Sequence, residues 1–224
     1  MSAAVAAEGR AYVGVVHDFK DPLYARGWAE RFTPTPGRLA LFAAMTRLLA
    51  VACPPAPIVL ELGTGPGYFA EALLEALPAA SYVGLDFSQP MLDLAALRLQ
   101  PHRSRTTLLQ LDLLQEHWAD RVQGPFAAIV STWALHDLGG EGATAAIYGA
   151  CRRLLSTGGL LLNGDFVKPE GTSHDFEPGR FSVARHLELL HWAGFAEARC
   201  LGRWEEELQD PTTAQNYACL AARA

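Results

Sequence analysis

Residues 61–67 read Glu61-Leu62-Gly63-Thr64-Gly65-Pro66-Gly67, a turn with glycine at every second position from Gly63 onward. The aliphatic run Ile58–Leu62 leads into it, and a helical pattern beginning at Tyr68 follows it. A glycine-dense turn between a strand and a helix lets backbone N–H groups approach a ligand closely, at the carboxyl edge of a parallel sheet. The sequence therefore predicts a ligand site at this turn.

The same alternation of short aliphatic runs and longer helical patterns continues along the chain. Runs such as Ile58-Val59-Leu60 and Leu160-Leu161-Leu162 are apolar at every position, which is typical of a parallel sheet covered by helices on both faces. This pattern predicts a doubly wound α/β fold with a mostly parallel, seven-stranded sheet. The core strands are predicted at Ile58–Leu62, Tyr82–Asp86, Thr107–Leu111, Ala127–Ser131 and Leu160–Asp165, and the helices between them at Tyr68–Leu77, Met91–Leu99, Leu113–Asp120 and Ala143–Leu155.

The two ends of the chain depart from this alternation. Residues 17–53 have a helical pattern that Pro34 and Pro36 interrupt, which predicts an N-terminal helical cap. Near the C-terminus, a predicted helix at Ser182–Ala193 precedes two strand-like stretches, Ala196–Trp204 and Asn216–Ala222, with no helix between them. These two strands are predicted to form an antiparallel hairpin. We expect one domain, with a cap over about 1–37, a ligand-binding core over about 38–165, and a substrate-side segment with the hairpin over about 166–224.

Composition narrows the classes of protein. The 224 residues include 18 Lys and Arg against 24 Asp and Glu, a net charge of −6, so no global positive field favours nucleic acid. The 4 cysteines show no Cys-x-x-Cys spacing, which argues against zinc and disulfide frameworks. No leader peptide or long apolar segment is recognisable, so we expect a cytoplasmic protein without membrane association. Its oligomeric state stays open.

Neither common phosphate-binding motif fits the glycine turn. The dinucleotide fingerprint Gly-x-Gly-x-x-Gly needs a third glycine where Tyr68 stands, and a P-loop needs a lysine that is absent here. These mismatches argue against an NAD(P)-dependent reductase, which we keep only as a weaker alternative function for this site.

Four features in order resemble the class I S-adenosylmethionine-dependent methyltransferases over roughly residues 38–165. Glu61 precedes Gly-x-Gly-x-Gly, Asp86 ends the second strand, and Asp112 follows the third. The fourth strand then continues into Ser131-Thr132-Trp133-Ala134-Leu135-His136, and the passage from Arg153 to Leu160 is similar to the last helix and fifth strand of that family. The resemblance implies methyl transfer from S-adenosylmethionine, with S-adenosylhomocysteine as the product. A non-catalytic domain that binds this cofactor or a partner remains an alternative.

The resemblance also implies roles for individual residues. Asp86 would accept hydrogen bonds from the ribose hydroxyls, Asp112 would contact the adenine, and Glu61 would lie near the methionine ammonium. Phe87 and Met91 would pack on the purine. The complete set of predicted cofactor-binding residues is Glu61, Gly63, Thr64, Gly65, Gly67, Asp86, Phe87, Met91, Asp112, Leu113 and Ser131.

The acceptor should enter over the same sheet edge. His136 is the candidate catalytic base, because an imidazole can take a proton from a hydroxyl or amine near neutral pH. Asp165, His17 and His174 are weaker candidates for that role. The predicted substrate-binding residues are Tyr24, Trp28, Trp133 and His136. Tyr24 and Trp28 are four positions apart in a helical pattern, and aromatic side chains with this spacing also pack simply into a core.

The absence of two motifs at the end of the fourth strand narrows the class of methyl-transfer reaction. The fourth strand ends in Val130-Ser131-Thr132-Trp133, which is not the Asn/Asp-Pro-Pro-Tyr/Phe motif of methyltransferases that act on planar nitrogens. Ser131 stands where metal-dependent catechol-type enzymes carry an Asp, so no metal ion is expected. By elimination, the predicted partner is a small-molecule acceptor that is methylated on an O, N or C atom.

Overall fold

A computed structural model describes residues 17–169, 178–204 and 216–224. Within them, seven strands form a single sheet in the order β3-β2-β1-β4-β5-β7-β6. The first four pairings along this order are parallel, and β7 is antiparallel to both β5 and β6. The strands are β1 (Ile58–Leu62), β2 (Ser81–Asp86), β3 (Thr106–Gln110), β4 (Phe126–Thr132), β5 (Leu155–Phe166), β6 (Glu197–Trp204) and β7 (Tyr217–Arg223).

Helices cover both faces of this sheet and divide the core into two apolar layers. One layer contains Trp118, Tyr148 and Leu161, and the other contains Leu41, Phe69 and Val130. These findings confirm the predicted doubly wound α/β fold with its C-terminal antiparallel strands. The α-helices are α1 (Pro22–Arg31), α2 (Pro36–Ala52), α3 (Tyr68–Ala76), α4 (Gln89–Arg98), α5 (Glu141–Leu154) and α6 (Val183–Trp192).

The direction in which the chain adds strands to the sheet reverses between β1 and β4. From β1 the chain moves outward through β2 to β3, and it then returns to place β4 on the other side of β1. In open α/β sheets, ligands bind in the crevice at the carboxyl ends of the strands where this reversal occurs. The turn at residues 63–67 follows β1 and therefore lies at that crevice.

Two helices with proline near their starts precede β1. Asp21 caps α1 by accepting hydrogen bonds from the backbone N–H groups of Leu23 and Tyr24. Thr35 caps α2, whose first residue is Pro36. The predicted interruption of the helical pattern at Pro34 and Pro36 is thus confirmed. In the described part of the chain, no helix has the length and apolar character needed to cross a membrane.

One predicted helix is wrong. Residues 113–120 form turns, followed by a short 3-10 helix at Trp118–Arg121. Asp112 Oδ1 accepts a hydrogen bond from Leu114 N at 2.9 Å, which favours a turn over a helix. His117 then adopts φ +60°, a left-handed conformation that an α-helix does not accommodate.

The fifth strand begins earlier than predicted, at Leu155. Its register against β4 shifts between Phe126 and Ala128, and the four residues 156–159 form an irregular passage between Leu155 and Leu160. Gly158 adopts φ +73° there, a conformation that favours glycine and allows a bulge within the strand. The division into cap, core and substrate-side segment stays a prediction.

Candidate active site

The glycine turn is shaped by left-handed backbone conformations. Gly63, Gly65 and Gly67 have φ values of +69°, +53° and +81°. L-residues with a Cβ rarely adopt such values, so these positions favour glycine. At Gly63 a Cβ would also lie 2.4 Å from the Cβ of Ala134. The turn and the segment after β4 are therefore in close contact at Gly63.

Asp86 holds this turn from the end of β2. Its Oδ2 accepts a hydrogen bond from Gly65 N at 2.8 Å, and its Oδ1 accepts one from Ser88 N at 2.9 Å. Burial raises the pKa of the Asp86 carboxyl to about 6, against the opposing effect of the backbone N–H groups. Each carboxylate oxygen has a second lone pair, so Asp86 can still accept hydrogen bonds from a diol.

A cleft with about 680 Å³ of empty space opens over these groups. Phe19 contacts the ring of Phe87 edge-on at its rim, with 6.3 Å between ring centroids. Of the residues predicted from the sequence, the cleft is lined by Trp28, Gly63, Gly65, Asp86, Phe87, Met91, Asp112, Leu113 and Trp133.

Glu61 lies beneath the turn instead of in the cleft. It is fully buried, and the hydroxyl of Tyr82 donates a hydrogen bond to its Oε2 at 2.5 Å. Tyr82 is also 3.0 Å from the Thr64 hydroxyl, so it links the buried carboxyl to the turn above. Burial raises the pKa of Glu61 to about 8, although hydrogen bonds from Tyr82 and Thr132 oppose the shift.

Three other predicted cofactor residues also lie away from this cleft. Gly67 precedes the first residue of α3, and the Ser131 hydroxyl donates to Leu62 O at 3.0 Å, which ties β4 to β1. Thr64 faces a second cavity on the other side of the turn. These residues shape the site, and none of them lines the first cleft.

The predicted base is held by a buried carboxylate. His136 lies in a 3-10 turn, Leu135–Asp137, after β4, and its Nδ1 is 2.6 Å from Asp165 Oδ1. The backbone N of His136 donates to Asp165 Oδ2 at 3.1 Å. Asp165 near the end of β5 therefore fixes both the backbone and the ring of His136.

The opposite ring nitrogen of His136 points toward the cleft wall. His136 Nε2 is 3.4 Å from Asp137 Oδ1, and Asp137 lines the cleft, whereas His136, 8% exposed, does not. The arrangement is a chain of three side chains, Asp137, His136 and Asp165, that runs from the cleft into the core. Such a chain can relay or hold a proton.

The other predicted acceptor residues are divided between the cleft and the cap. Trp28 and Trp133 line the cleft, but Tyr24 does not, and its hydroxyl is 2.7 Å from Nδ1 of His17. His174 lies outside the described residues. Sequence reasoning missed Asp137, whose adjacency to His136 was the available signal, and it missed the apolar lining residues Phe19, Leu111, Ala134 and Leu138, which carry no distinguishing motif.

Comparison with known proteins agrees with this geometry. The profile of a methyltransferase domain family matches residues 59–159. A release factor glutamine methyltransferase of Chlorobaculum tepidum is 37% identical over 97 residues, which are 42% of this chain and 33% of that protein. A malonyl-[acyl-carrier protein] O-methyltransferase of Magnetococcus marinus is 33% identical over 115 residues, which are 51% of this chain and 40% of that protein.

A solved structure supports the same fold over a longer range. Phosphoethanolamine N-methyltransferase 2 of Haemonchus contortus, in complex with S-adenosylhomocysteine, superimposes with a TM-score of 0.72 at 15% identity and covers 96% of this chain and 59% of that one. The chain spans about a third to a half of the length of the curated relatives it matches.

The sheet order, the glycine turn at the switch point and the matched domain define a Rossmann-like methyltransferase fold. Residues 59–159 match a methyltransferase domain family, and the solved structures show the same fold. The residues present fit S-adenosylmethionine, the cofactor that the sequence resemblance implies. A buried carboxylate with free lone pairs lies beside a turn whose glycines leave room, and apolar side chains surround Asp112 in the same cleft.

Proposed function

We propose that this protein transfers a methyl group from S-adenosylmethionine to an O, N or C atom of a small-molecule acceptor, without a metal ion. The observation that carries the proposal is the continuous cleft from Asp86 and the glycine turn to the Asp137–His136–Asp165 chain. Among residues 17–169, 178–204 and 216–224, no cluster of three His, Cys, Asp or Glu side chains has a metal-binding arrangement.

On the cofactor side, each lining group has a role that its chemistry supports. Asp86 would accept the ribose hydroxyl hydrogen bonds, and Asp112 would accept from the exocyclic amine of the adenine. Phe87, Met91 and Leu113 would form the apolar surroundings of the purine. Bound S-adenosylmethionine supplies an electrophilic methyl group on a sulfonium.

Glu61, Thr64, Gly67 and Ser131 would support that site from below. The hydrogen bonds from Tyr82 connect Glu61 to Thr64, so the buried carboxyl and the turn are held as one unit. Glu61 does not line the cleft, so its effect on the methionine ammonium would be indirect. It would be transmitted by the backbone of the turn or by a water molecule. This support would hold the backbone of the turn in place beside the ligand.

On the acceptor side, Trp28 and Trp133 form aromatic walls, and Asp137 provides the polar group. An apolar cleft with a few placed polar groups is typical of small-molecule sites. The end of β4, Val130-Ser131-Thr132-Trp133, also lacks the motif associated with methylation of planar nitrogens. A small molecule with an apolar body therefore fits this cleft better than a nucleobase.

Proton removal would run along the three-residue chain. The acceptor atom forms a bond to the methyl carbon while the carbon–sulfur bond breaks and its electrons return to sulfur. The proton lost by the acceptor would pass to Asp137 and His136, because Asp137 faces the cleft and lies 3.4 Å from His136 Nε2. Asp165 would be a positioning residue that holds the ring.

The first experiment tests binding and turnover separately. Calorimetric titration should show binding of S-adenosylhomocysteine and no competing binding of NAD or NADP, and a screen of small hydroxyl, amine and carbon-acid acceptors should show methyl transfer from labelled cofactor. Binding with no transfer to any acceptor would favour the non-catalytic alternative. Binding of NADP in place of S-adenosylhomocysteine would overturn the proposal.

Variants then test the base. For an acceptor that requires deprotonation, His136→Gln should lower kcat by about 10²- to 10⁴-fold with nearly unchanged cofactor affinity, as expected for loss of a general base. Asp137→Asn and Asp165→Asn should lower kcat and shift its pH profile. His117→Gln is the matched control, because that imidazole is exposed on the surface and should leave turnover unchanged. An unaltered kcat in all three site variants would refute the base.

A further inference from the structure

The charged side chains that line the cleft beside the glycine turn are all acidic. Among the residues that the structure describes, Asp86, Asp112 and Asp137 line it, and no Lys, Arg or His does. Aspartates carry a negative charge at neutral pH unless burial or another anion prevents it. The field inside the cleft is therefore negative, which attracts cations and opposes the entry of anions.

The cofactor would offset only part of this negative charge. Asp86 and Asp112 follow the strands β2 and β3, and they accept hydrogen bonds from the backbone N–H groups of Gly65 and Leu114. The ribose and the adenine that we place beside them are uncharged. S-adenosylmethionine as a whole has one positive charge in excess, fewer than the three carboxylates that line the cleft.

Asp137 is the acidic residue on the acceptor side of the cleft. Its side chain is 18% exposed, and its Oδ1 lies 3.4 Å from His136 Nε2. The other ring nitrogen of His136 is paired with the buried carboxyl of Asp165. Two carboxylates thus share one imidazole, so this group stays negative even when His136 is protonated.

Three aromatic side chains line the cleft together with Asp137. Phe19 and Trp28 meet edge to face, with their ring centroids 5.4 Å apart and their planes at 88°, and Trp133 lies after β4. All three residues are half-buried, so their rings are partly accessible. The face of an aromatic ring attracts cations, and aromatic rings are typical of sites that bind organic ammonium groups.

Two arginines contact aromatic rings near this site without lining the cleft. The guanidinium carbon of Arg38 is 4.6 Å from the centroid of the Trp133 ring, but Arg38 lines the neighbouring cavity. Arg180 lies over the ring of Phe166 at 5.0 Å, and its Nε donates to Val167 O at 3.3 Å. Neither arginine lines the cleft, so a positive charge beside Asp137 would come from the ligand.

We infer that the acceptor is an organic amine, which enters as an ammonium ion and is held by the Asp137 carboxylate and the aromatic side chains of the cleft. The inference rests on the proposed function and narrows its acceptor atom from O, N or C to N. Asp137 would accept a hydrogen bond from the ammonium N–H. The rings of Phe19, Trp28 and Trp133 would pack against its carbon substituents.

An ammonium nitrogen has no lone pair, so it must lose a proton before it is methylated. That proton would pass to Asp137 and His136, which lie at the cleft wall. The lone pair of the nitrogen then forms the bond to the methyl carbon, while the carbon–sulfur bond breaks and its electrons return to sulfur. A primary amine would leave as an N-methylammonium ion, and the proton on His136 would exchange with solvent.

The test compares three ligands that share a phenyl body and differ in charge. At neutral pH, 2-phenylethylamine is a cation, 2-phenylethanol is neutral and phenylacetate is an anion. Each is titrated calorimetrically into the protein saturated with S-adenosylhomocysteine. The wild type should bind the amine at least about 10-fold more tightly than the alcohol, as expected for one charge-assisted pair, and should not bind phenylacetate.

Two variants test whether Asp137 causes this preference. Asp137→Asn removes the charge and keeps the shape, so it should weaken amine binding by about 10-fold and leave alcohol binding within about twofold of wild type. Asp120→Asn is the matched control, because that side chain is 78% exposed and does not line the cleft. Thermal melting without ligand checks the fold of each variant, and the wild-type comparison of amine and alcohol stands even if Asp137→Asn does not fold.

The inference is overturned if the wild type binds the amine no more tightly than the alcohol, absence of binding by both included. An unchanged preference in folded Asp137→Asn also overturns it. Methyl transfer from labelled cofactor to hydroxyl or carbon-acid acceptors, with none to amines, overturns the inference and leaves the proposed function intact. Failure of the wild type to bind S-adenosylhomocysteine overturns the proposed function instead.

Discussion

Two buried aspartates at the ends of parallel strands serve different partners in this molecule. Asp86, at the end of β2, accepts hydrogen bonds from the backbone N–H groups of Gly65 and Ser88. Asp165, near the end of β5, holds the ring and the backbone of His136. Asp86 lines the cleft directly, whereas Asp165 reaches it only through other side chains.

We propose that this difference divides the site into a cofactor half and an acceptor half. In the cofactor half, formed by β1 to β3, the glycine turn is held in place by the Asp86 carboxylate. In the acceptor half, formed by β4, β5 and the cap, side chains from separate elements meet. We infer that the first half is suited to a constant ligand and the second to a variable one.

The largest expected effect tests the direct role of Asp86. Asp86→Ala removes the proposed acceptor for the ribose hydroxyls and also removes the hydrogen-bond partner of Gly65 N. Hydrogen bonds to charged groups contribute about 1.5–3 kcal/mol each, so the loss of two predicts a fall of at least about 100-fold in affinity for S-adenosylhomocysteine. Isothermal titration measures this change, and thermal melting checks the fold of the variant.

Asp165→Asn is the matched variant in the acceptor half. It removes the charge of a second buried aspartate. Because Asp165 does not line the cleft, the affinity for S-adenosylhomocysteine should stay within about twofold of that of the wild type. The division into halves would be wrong if both substitutions weakened binding equally. It would also be wrong if Asp86→Ala bound the nucleoside as tightly as wild type.

The cofactor half was largely predictable because its determinants are local in sequence. A strand, a turn with glycine at alternate positions and a following helix determine the backbone of residues 58–76, and Asp86 follows one strand later. The predicted lining residues Gly63, Gly65, Asp86 and Asp112 lie in the cleft. Burial depth was not predictable from the motif alone, so Glu61 was expected beside the ligand although it lies beneath the turn.

The acceptor half was harder to predict because its contacts join distant residues. The pairing of His136 with Asp165 spans 29 positions, and the contact of Arg38 with Trp133 spans more than 90. No local pattern indicates such pairs. The wrong helix at residues 113–120 has a different cause, since the apolar spacing was helical but Asp112 and His117 favour turns.

A second prediction sharpens the comparison through pH. Burial keeps Glu61 protonated up to a pKa of about 8, whereas the unfolded chain loses this proton near the ordinary value of 4.5. The contribution of Glu61 to the free energy of unfolding is therefore fully present below about pH 4.5 and is lost as the pH rises through 8. Between pH 6.5 and 8, the unfolding free energy of wild type relative to Glu61→Gln should fall by about 2 kcal/mol.

Denaturant unfolding at several pH values without ligand measures this difference. Glutamine has the shape of the protonated carboxyl, so the two proteins should be most similar in acid. Because the comparison is between wild type and one variant, titration of the other groups largely cancels. Parallel stability curves from pH 6.5 to 8 would contradict a protonated Glu61 in the folded protein.

The smallest expected effect has the opposite sign and concerns His186 on α6, outside both halves of the site. His186 is buried, with its Nδ1 2.9 Å from the Tyr148 hydroxyl, and its Nε2 has no partner among the described residues. Burial lowers the pKa of His186 to about 4, against a raising effect of Asp165. The unfolded chain therefore binds this proton first as pH falls, and stability is lost between pH 6.5 and 4.

Relative to His186→Gln, which does not titrate, the wild type should lose about 1 kcal/mol of unfolding free energy between pH 6.5 and 5.5. Denaturant unfolding checks the difference, and NMR titration of the imidazole checks its cause. Glutamine substitution would thus have opposite pH consequences at these two residues, because burial in both cases favours the neutral form, which carries the proton in Glu61 and lacks it in His186.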